Sequence, residues 1–195
     1  MEYIFAIISC ITYLFVIFLP IRMLIKRNKR KKEWQIIINE NNNLGFKKRF
    51  IPLEYITKSK QNDKFFNYNN WSNGLWLNYQ DKLIKFREGE SKIYIEILFQ
   101  DIYDVRMDSI GVSKTRGMGY GNNITLFGAS TSDYLKSITI QIVVKDPNGG
   151  VKTIDLMLCN YKLGSVKRGT PEANAYEKCA AAILNEISYI IDNYT

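Results

Sequence analysis

Residues 92–108 read KIYIEILFQDIYDVRMD, and the pattern of this stretch decides the fold class. In its first half, every second residue is apolar: Ile93, Ile95, Ile97 and Phe99 alternate with Lys92, Tyr94, Glu96 and Leu98. A period of two predicts a β-strand with one buried face. The alternation stops at Asp101-Ile102 and then resumes, so a second strand is expected to begin where the first one ends.

Two hairpins are predicted on either side of this stretch. The first joins residues 75–79 to 83–87, and the second joins 138–144 to 154–158 through Asp146-Pro147-Asn148-Gly149. Proline presets φ at the first turn position, and Gly149 can supply the left-handed residue of a bulged hairpin. Between the hairpins, residues 111–123 are rich in glycine and predict a flexible loop.

The chain closes with a predicted amphipathic helix. Thr170 is a good N-cap and Pro171 suits the first helical position. Apolar residues then recur at helical spacing, at Tyr176, Cys179, Ala180, Ile183, Ile187, Ile190 and Ile191. This helix needs an apolar surface to cover, and the strands supply one. The soluble part is therefore an α+β domain of about seven short antiparallel strands and one closing helix.

This order of elements resembles the pleckstrin-homology-like (PH-like) superfold, and residues 92–108 look like the strand–turn–strand step of bacterial PH-like and GRAM-like domains. The resemblance covers roughly residues 65–193. It implies a bent antiparallel sheet or open barrel that is plugged by the final helix. It also implies a domain that binds lipid headgroups, peptides or partner proteins and seldom catalyses. The glycine-rich insertion departs from the pattern, and a closed lipocalin-like barrel is the structural alternative.

The N-terminus is predicted to be a single transmembrane helix. Residues 3–25 read YIFAIISCITYLFVIFLPIRMLI and carry no charge before Arg22. About 20 apolar residues span a hydrocarbon core of ~30 Å, so this run is long enough. A cleaved signal peptide does not fit, because the basic residues follow the apolar run; a buried core helix is the alternative. The expected division is an anchor at 1–25, a basic stalk and linker at 26–45, and a PH-like domain at 46–195.

A cluster of basic residues, called the collar below, follows the apolar run: Arg22, Lys26, Arg27, Lys29, Arg30, Lys31 and Lys32. Positive charge favours the cytoplasmic side, which predicts a single-pass inner-membrane protein with its N-terminus outside. Such clusters also contact anionic lipid. The net charge is +8, but residues 33–195 carry only +2 of it. The charge therefore indicates a lipid bilayer as partner and not nucleic acid.

The composition argues against catalysis and against metal or cofactor sites. The chain contains no histidine, and its three cysteines show no spacing typical of a metal site or a disulfide framework. We therefore expect no catalytic residue, no metal and no cofactor, and we expect reduced thiols.

Two binding sites are predicted on the domain. The glycine-rich segment carries basic residues and could bind an anion through Lys114, Arg116, Gly117, Gly119 and Gly121. Trp71 and Trp76 are candidates for a partner interface, and burial in the core or against the stalk is the alternative for them.

Two functions follow from these features. The first is a membrane-tethered binding or scaffold module that recruits a partner or senses a ligand at the inner membrane face. The second is a membrane-disrupting effector of the toxin or defence type, in which a cytoplasmic β-domain senses a signal and the anchors self-associate. Ser9 and Thr12 in the anchor offer polar helix–helix contacts for the second function.

Overall fold

The computed structural model describes residues 2–61, 73–87, 94–118, 127–146, 149–161 and 165–194, with side chains described from Phe18 to Gly111 and from Asp133 onward. Three helices lie at α1 Glu2–Asn43, α2 Lys58–Gln61 and α3 Pro171–Tyr194. Single turns of 3-10 helix span Pro52–Tyr55 and Phe99–Asp101. The strands are β1 Lys48–Phe50, β2 Gly74–Asn78, β3 Leu83–Arg87, β4 Tyr94–Leu98, β5 Ile102–Met118, β6 Phe127–Lys145, β7 Val151–Asn160 and β8 Val166–Lys167.

The strands form two antiparallel sheets. The first, sheet A, has the order β1-β2-β3-β4, and the second, sheet B, has the order β5-β6-β7 with β8 paired to β6. The α+β class and the closing helix are confirmed. The expected single bent sheet or open barrel is not what the described strands form, because neither sheet closes into a barrel. The reason is that β5 pairs with β6 along its whole length and not with β4.

The chain passes from one sheet to the other at the turn Phe99–Asp101. Phe99 is fully buried, and its backbone N–H donates to the carbonyl oxygen of Lys82 at 2.9 Å. This bond ties the turn to the β2–β3 hairpin while β5 starts in a new direction at Ile102. The strand–turn–strand order predicted for residues 92–108 is therefore present from Tyr94 onward.

Both predicted hairpins are present. Gly149 has φ +85°, and its N–H donates to the carbonyl of Asp146 at 2.9 Å. In the other hairpin, the Asn78 side-chain oxygen accepts the N–H groups of Gln80 and Asp81, at 3.0 and 3.1 Å. These side-chain bonds replace backbone bonds in the turn, which is why asparagine is favoured there.

The glycine-rich segment is the main difference from the sequence prediction. Residues 111–118 are strand and not loop, because β5 stays paired with β6 up to Met118↔Phe127. β7 pairs with β6 only from Ser137 onward, so the far part of the hairpin is a two-stranded ribbon flanked by β8 at its base. Residues 112–118 extend this ribbon by about 23 Å, at ~3.3 Å per residue.

Helix α3 covers the apolar faces of the domain. Thr170 caps it as predicted, since its hydroxyl accepts the N–H of Ala173 at 3.3 Å. Six residues of the predicted apolar face are fully buried and Ile191 is half-buried; the six are Tyr176, Cys179, Ala180, Ile183, Ile187 and Ile190. It packs against β5, β6 and both 3-10 turns.

Helix α1 ends in a glycine cap that directs the chain into sheet A. Gly45 has φ +86°, and a Cβ there would lie 2.8 Å from Asn78 Nδ2. The N–H of Phe46 reaches back to the carbonyl of Asn41 at 3.0 Å, as in a Schellman motif. Phe46 is buried, so this ending also anchors the chain before β1 begins.

The second half of α1 belongs to the core of the domain. Trp34 is only 4% exposed, and its ring centroid lies 6.0 Å from that of Trp76 on β2. Ile37 and Ile38 pack against the same core, and Asn41 is buried. The stretch expected to be a stalk is therefore fixed to the domain, and α1 runs through the predicted anchor–stalk boundary without a break.

Replacing Trp34 with alanine should lower the stability of the domain by about 3–5 kcal/mol, because it removes a large side chain from the core. For a chain of this size we expect the melting temperature to fall by roughly 10 °C. Ile36, two residues away and 55% exposed, is the matched control, and Ile36→Ala should change the melting temperature little. The measurement is thermal unfolding in detergent, followed by circular dichroism. Equal melting temperatures for the two variants would contradict the docking of α1.

Candidate functional site

The part of α1 before the domain presents apolar residues to the surroundings. Phe18 is 66% exposed and Ile25 is 65% exposed. The other large exposed apolar side chains here are Leu19, Ile21 and Met23. Most of the collar is exposed as well, at Arg22, Lys26, Lys29, Lys31 and Lys32. Apolar and basic side chains are therefore exposed together along residues 18–32 of α1.

The predicted anchor itself lies largely outside the described side chains. Its backbone is helical from Glu2, but side chains are described only from Phe18. Over the side chains that are described, no helix offers an apolar run that is long enough to cross a bilayer. The anchor at 3–25 therefore stays a prediction.

One face of α1 lies along the domain. Its less exposed positions recur every three or four residues, at Leu24, Arg27, Arg30, Trp34, Ile37, Ile38 and Asn41. This spacing places them on one side of the helix. From Arg27, which is bonded to Gln61, to Asn41 this face runs for about 21 Å, at 1.5 Å per residue. The domain therefore reaches down α1 as far as the collar.

A specific contact joins the collar to the segment between β1 and β2. Arg27 Nη2 donates to the backbone oxygen of Gln61, the last residue of α2, at 3.1 Å. The Gln61 side chain in turn donates to the carbonyls of Leu53 and Ile56, at 2.6 and 3.1 Å. Gln61 thus holds the segment 52–61 together and fixes it beside Arg27. We call this contact the collar joint.

The sequence could not place α2 next to the collar. A four-residue helix has no recognisable periodicity, and Arg27 and Gln61 are 34 positions apart. Arg27 was predicted to be one of seven equivalent membrane-surface residues. In the structure it differs from the exposed members of the collar, because its guanidinium also binds the domain.

A second contact fixes α1 against sheet A. The Arg87 guanidinium lies 5.2 Å from the ring centre of Trp34, on the side of the helix that faces β3. Cation–π contacts of this kind stabilise by about 0.5–2 kcal/mol, more when desolvated. Trp34 is therefore held by two contacts, with the indole ring of Trp76 and with the guanidinium of Arg87.

The predicted anion-binding residues lie on the ribbon. Lys114 and Arg116 are strand residues of β5, paired with Ser132 and Ser130, and Gly117 lies at a register shift between Arg116 and Met118. Their side chains are not described. Gly119 and Gly121 lie outside the described residues. The anion site therefore stays a prediction, but on a strand ribbon and not on a loop as far as Met118.

Of the two residues predicted to form a partner interface, only Trp76 lies in the described part of the chain. Trp76 is fully buried and packs on Trp34, so it is inaccessible to a partner in this structure. The alternative, burial against the stalk, describes its position. Trp71 lies outside the described residues, so its proposed role is still a prediction.

A cleft of about 350 Å³ opens between the end of β4 and the β6–β7 hairpin. Leu98, Val144 and Ile154 supply apolar walls, while Glu96, Asp101 and Lys145 supply charge. This volume is near the lower limit for small-molecule sites, which is about 300 Å³. By its volume the cleft can hold a small or extended ligand.

A polar cluster fastens α3 to sheet A. Tyr79 donates its hydroxyl to Glu186, and Lys48 Nζ lies 2.5 Å from the other carboxylate oxygen, whose side chain is 12% exposed. Burial and then this hydrogen bond raise the pKa of Tyr79 well above its ordinary value, so the phenol stays neutral. Its ring packs on Phe99 and Tyr194. This cluster was not predicted from the sequence, although a glutamate beside the apolar face of α3 was the available signal.

The two described thiols are buried. Burial raises the pKa of Cys159 to about 12 and raises that of Cys179 further above its ordinary value. Because the thiolate is the nucleophile and the metal ligand, neither cysteine is set up for chemistry. Over the described residues, no three His, Cys, Asp or Glu side chains come together as a metal site would require.

The comparisons with known proteins give no relative. No protein-family model, no curated protein and no solved structure matches this chain.

Cys159 and Cys179 should resist maleimide at pH 8 in the folded protein, because both are buried and protonated there. Both should react once the chain is unfolded in denaturant. Intact mass of a Cys10→Ala variant, before and after denaturation, measures this directly. Fast labelling of the folded variant would contradict the described packing of β7 and α3.

Proposed function

We propose that this protein is a membrane-tethered binding module, in which a PH-like domain is held at the inner face of a membrane by α1. One observation carries the proposal. A single unbroken helix exposes an apolar band and a basic collar at one end and buries Trp34 in the domain core at the other. Such a helix connects the domain to the bilayer without a flexible linker.

The unbroken helix makes the tether directional. A flexible linker lets a domain sample many orientations, whereas a docked helix fixes one. Trp34, which contacts both Trp76 and Arg87, and Arg27 of the collar joint lie about two turns apart along α1 and hold it at two heights. The surfaces that a partner meets are therefore always the same ones.

The PH-like assignment is supported by the order of elements. Strands of sheet A precede strands of sheet B, the connection is the turn at Phe99–Asp101, and α3 closes the domain by packing on both sheets. Proteins of this shape mostly act by binding. The cleft at Leu98 and the ribbon that carries Lys114 and Arg116 are the candidate contact surfaces.

One observation favours the second function, the membrane-disrupting effector. At the contact of α1 with sheet A, Trp76 Nε1 and Asn41 Nδ2 are buried without a hydrogen-bond partner among the described residues. An unpaired buried donor costs about 1–3 kcal/mol. Undocking of α1 would expose both groups to water, so a signal could release the helix and let anchors associate.

The tether is tested by comparing three chains in membrane fractions. The full chain should resist extraction with alkaline carbonate. A chain without residues 2–21 should become soluble and keep its melting temperature, because Trp34 and the collar joint are retained. The matched control lacks residues 2–36, so it loses Trp34 and should be much less stable. A full chain that is extracted by carbonate, or a shortened chain that stays in the membrane, would overturn the proposal.

The two functions differ in what the anchor sequence contributes. Replacing residues 3–21 with an unrelated apolar helix should leave a binding module at the membrane, with cells that keep their membrane potential on induced expression. The effector predicts depolarisation by the natural chain and its loss after the replacement. A potential-sensitive dye distinguishes the two outcomes, and depolarisation that depends on the natural anchor would favour the effector.

A further inference from the structure

The collar joint fixes the height of α2 relative to the membrane. The apolar run ends at Ile25, and Arg27 lies two residues further along, which is about 3 Å of helix. The headgroup region adds about 5–7 Å on each side of the hydrocarbon core. Because Gln61 is bonded to Arg27, the end of α2 lies within this layer when the apolar run is in the bilayer.

The exposed side chains of α2 are basic and hydroxylated. Lys58, Ser59 and Lys60 are all exposed, as is Thr57 just before the helix. Within the described residues 52–61 the acidic residue is Glu54, and it is paired with Arg49 at 2.6 Å. Among these residues no other carboxylate neutralises the lysines, which carry positive charge beside the collar.

We propose that residues 57–61 form a second membrane contact, in which Lys58 and Lys60 bind the anionic headgroups of phospholipids. The contact rests on the proposed function, since it requires α1 to be in the bilayer. It adds a patch from the folded domain to the basic residues of the anchor helix. The occupant is the lipid surface itself, because the collar already places α2 at that height and the charges are complementary.

A second membrane contact, besides the anchor helix, would restrict the tilt of the domain. The docking of α1 fixes the domain relative to the helix, but α1 can still tilt in the bilayer, and the domain then tilts with it. The α2 lysines attract one side of the domain to the lipid surface, which selects one tilt. Lysine near an anionic bilayer contributes about five-fold in affinity, so the pair should favour the tilted state by roughly thirty-fold. Screening makes this preference fall as salt rises.

The experiment places a probe on α2 in the full chain. Ser59→Cys is labelled with an environment-sensitive fluorophore in the Cys10→Ala background, since Cys159 and Cys179 are buried. The chain is reconstituted in vesicles of phosphatidylcholine, with or without phosphatidylglycerol, that contain a headgroup-attached quencher. Quenching should be stronger in the anionic vesicles and should decrease with salt.

The matched variants change only surface charge. The double variant Lys58→Glu, Lys60→Glu should abolish the extra quenching in anionic vesicles. Lys152→Glu, which changes an exposed lysine on β7 of sheet B, should not. Arg27→Ala should also reduce quenching, because it releases Gln61. The melting temperature should stay unchanged in both lysine variants, which excludes unfolding as the cause.

The outcomes separate this inference from the proposed function. A chain that resists carbonate extraction but shows equal quenching in neutral and anionic vesicles overturns the α2 contact alone. Quenching that survives the double lysine variant does the same. A chain that carbonate extracts from the vesicles overturns the proposed function and this contact together.

Discussion

The packing of Trp34 on Trp76 is the interaction on which the rest of the structure depends. It joins a helix that continues toward the N-terminus to the most buried strand of sheet A. Without it, α1 and the domain would be two bodies joined by a turn at Gly45. With it, the collar, α2 and the sheet hold fixed positions relative to one another. A fully buried indole pair supplies apolar area at low entropy cost, since each side chain has only two rotatable bonds.

The other end of the domain is held by a different device. α3 covers both sheets, and Glu186 in its C-terminal half binds Tyr79 and Lys48. Apolar burial along α3 is non-directional, whereas this cluster has a defined geometry. A paired carboxylate at low exposure sets the position of the helix along its axis, which the isoleucines alone would not fix.

The local pattern predicted the elements well because each one is set by neighbours in sequence. The period of two in 94–98, the Asp146–Gly149 turn and the Thr170 cap all depend on residues within a few positions. The ribbon was misassigned because Gly111 and Gly117 have weak strand preference, and cross-strand pairing overrides it. The two-sheet arrangement, the collar joint and the Glu186 cluster join residues far apart in sequence. No period or turn chemistry reports such contacts, so they needed the structure. The transmembrane anchor at residues 3–25 stays a prediction.

Because α1 is docked, the number of residues between its contacts with the domain is constrained. Each residue turns an α-helix by 100° and raises it by about 1.5 Å. Arg27 and Trp34 are seven residues apart, close to two full turns, so both can contact the domain from one face of the helix. One residue gained or lost between them would turn Arg27 by more than a quarter circle away from Gln61 and break the collar joint, although the collar would keep its charge. The number of residues in this interval therefore carries information that their identities do not.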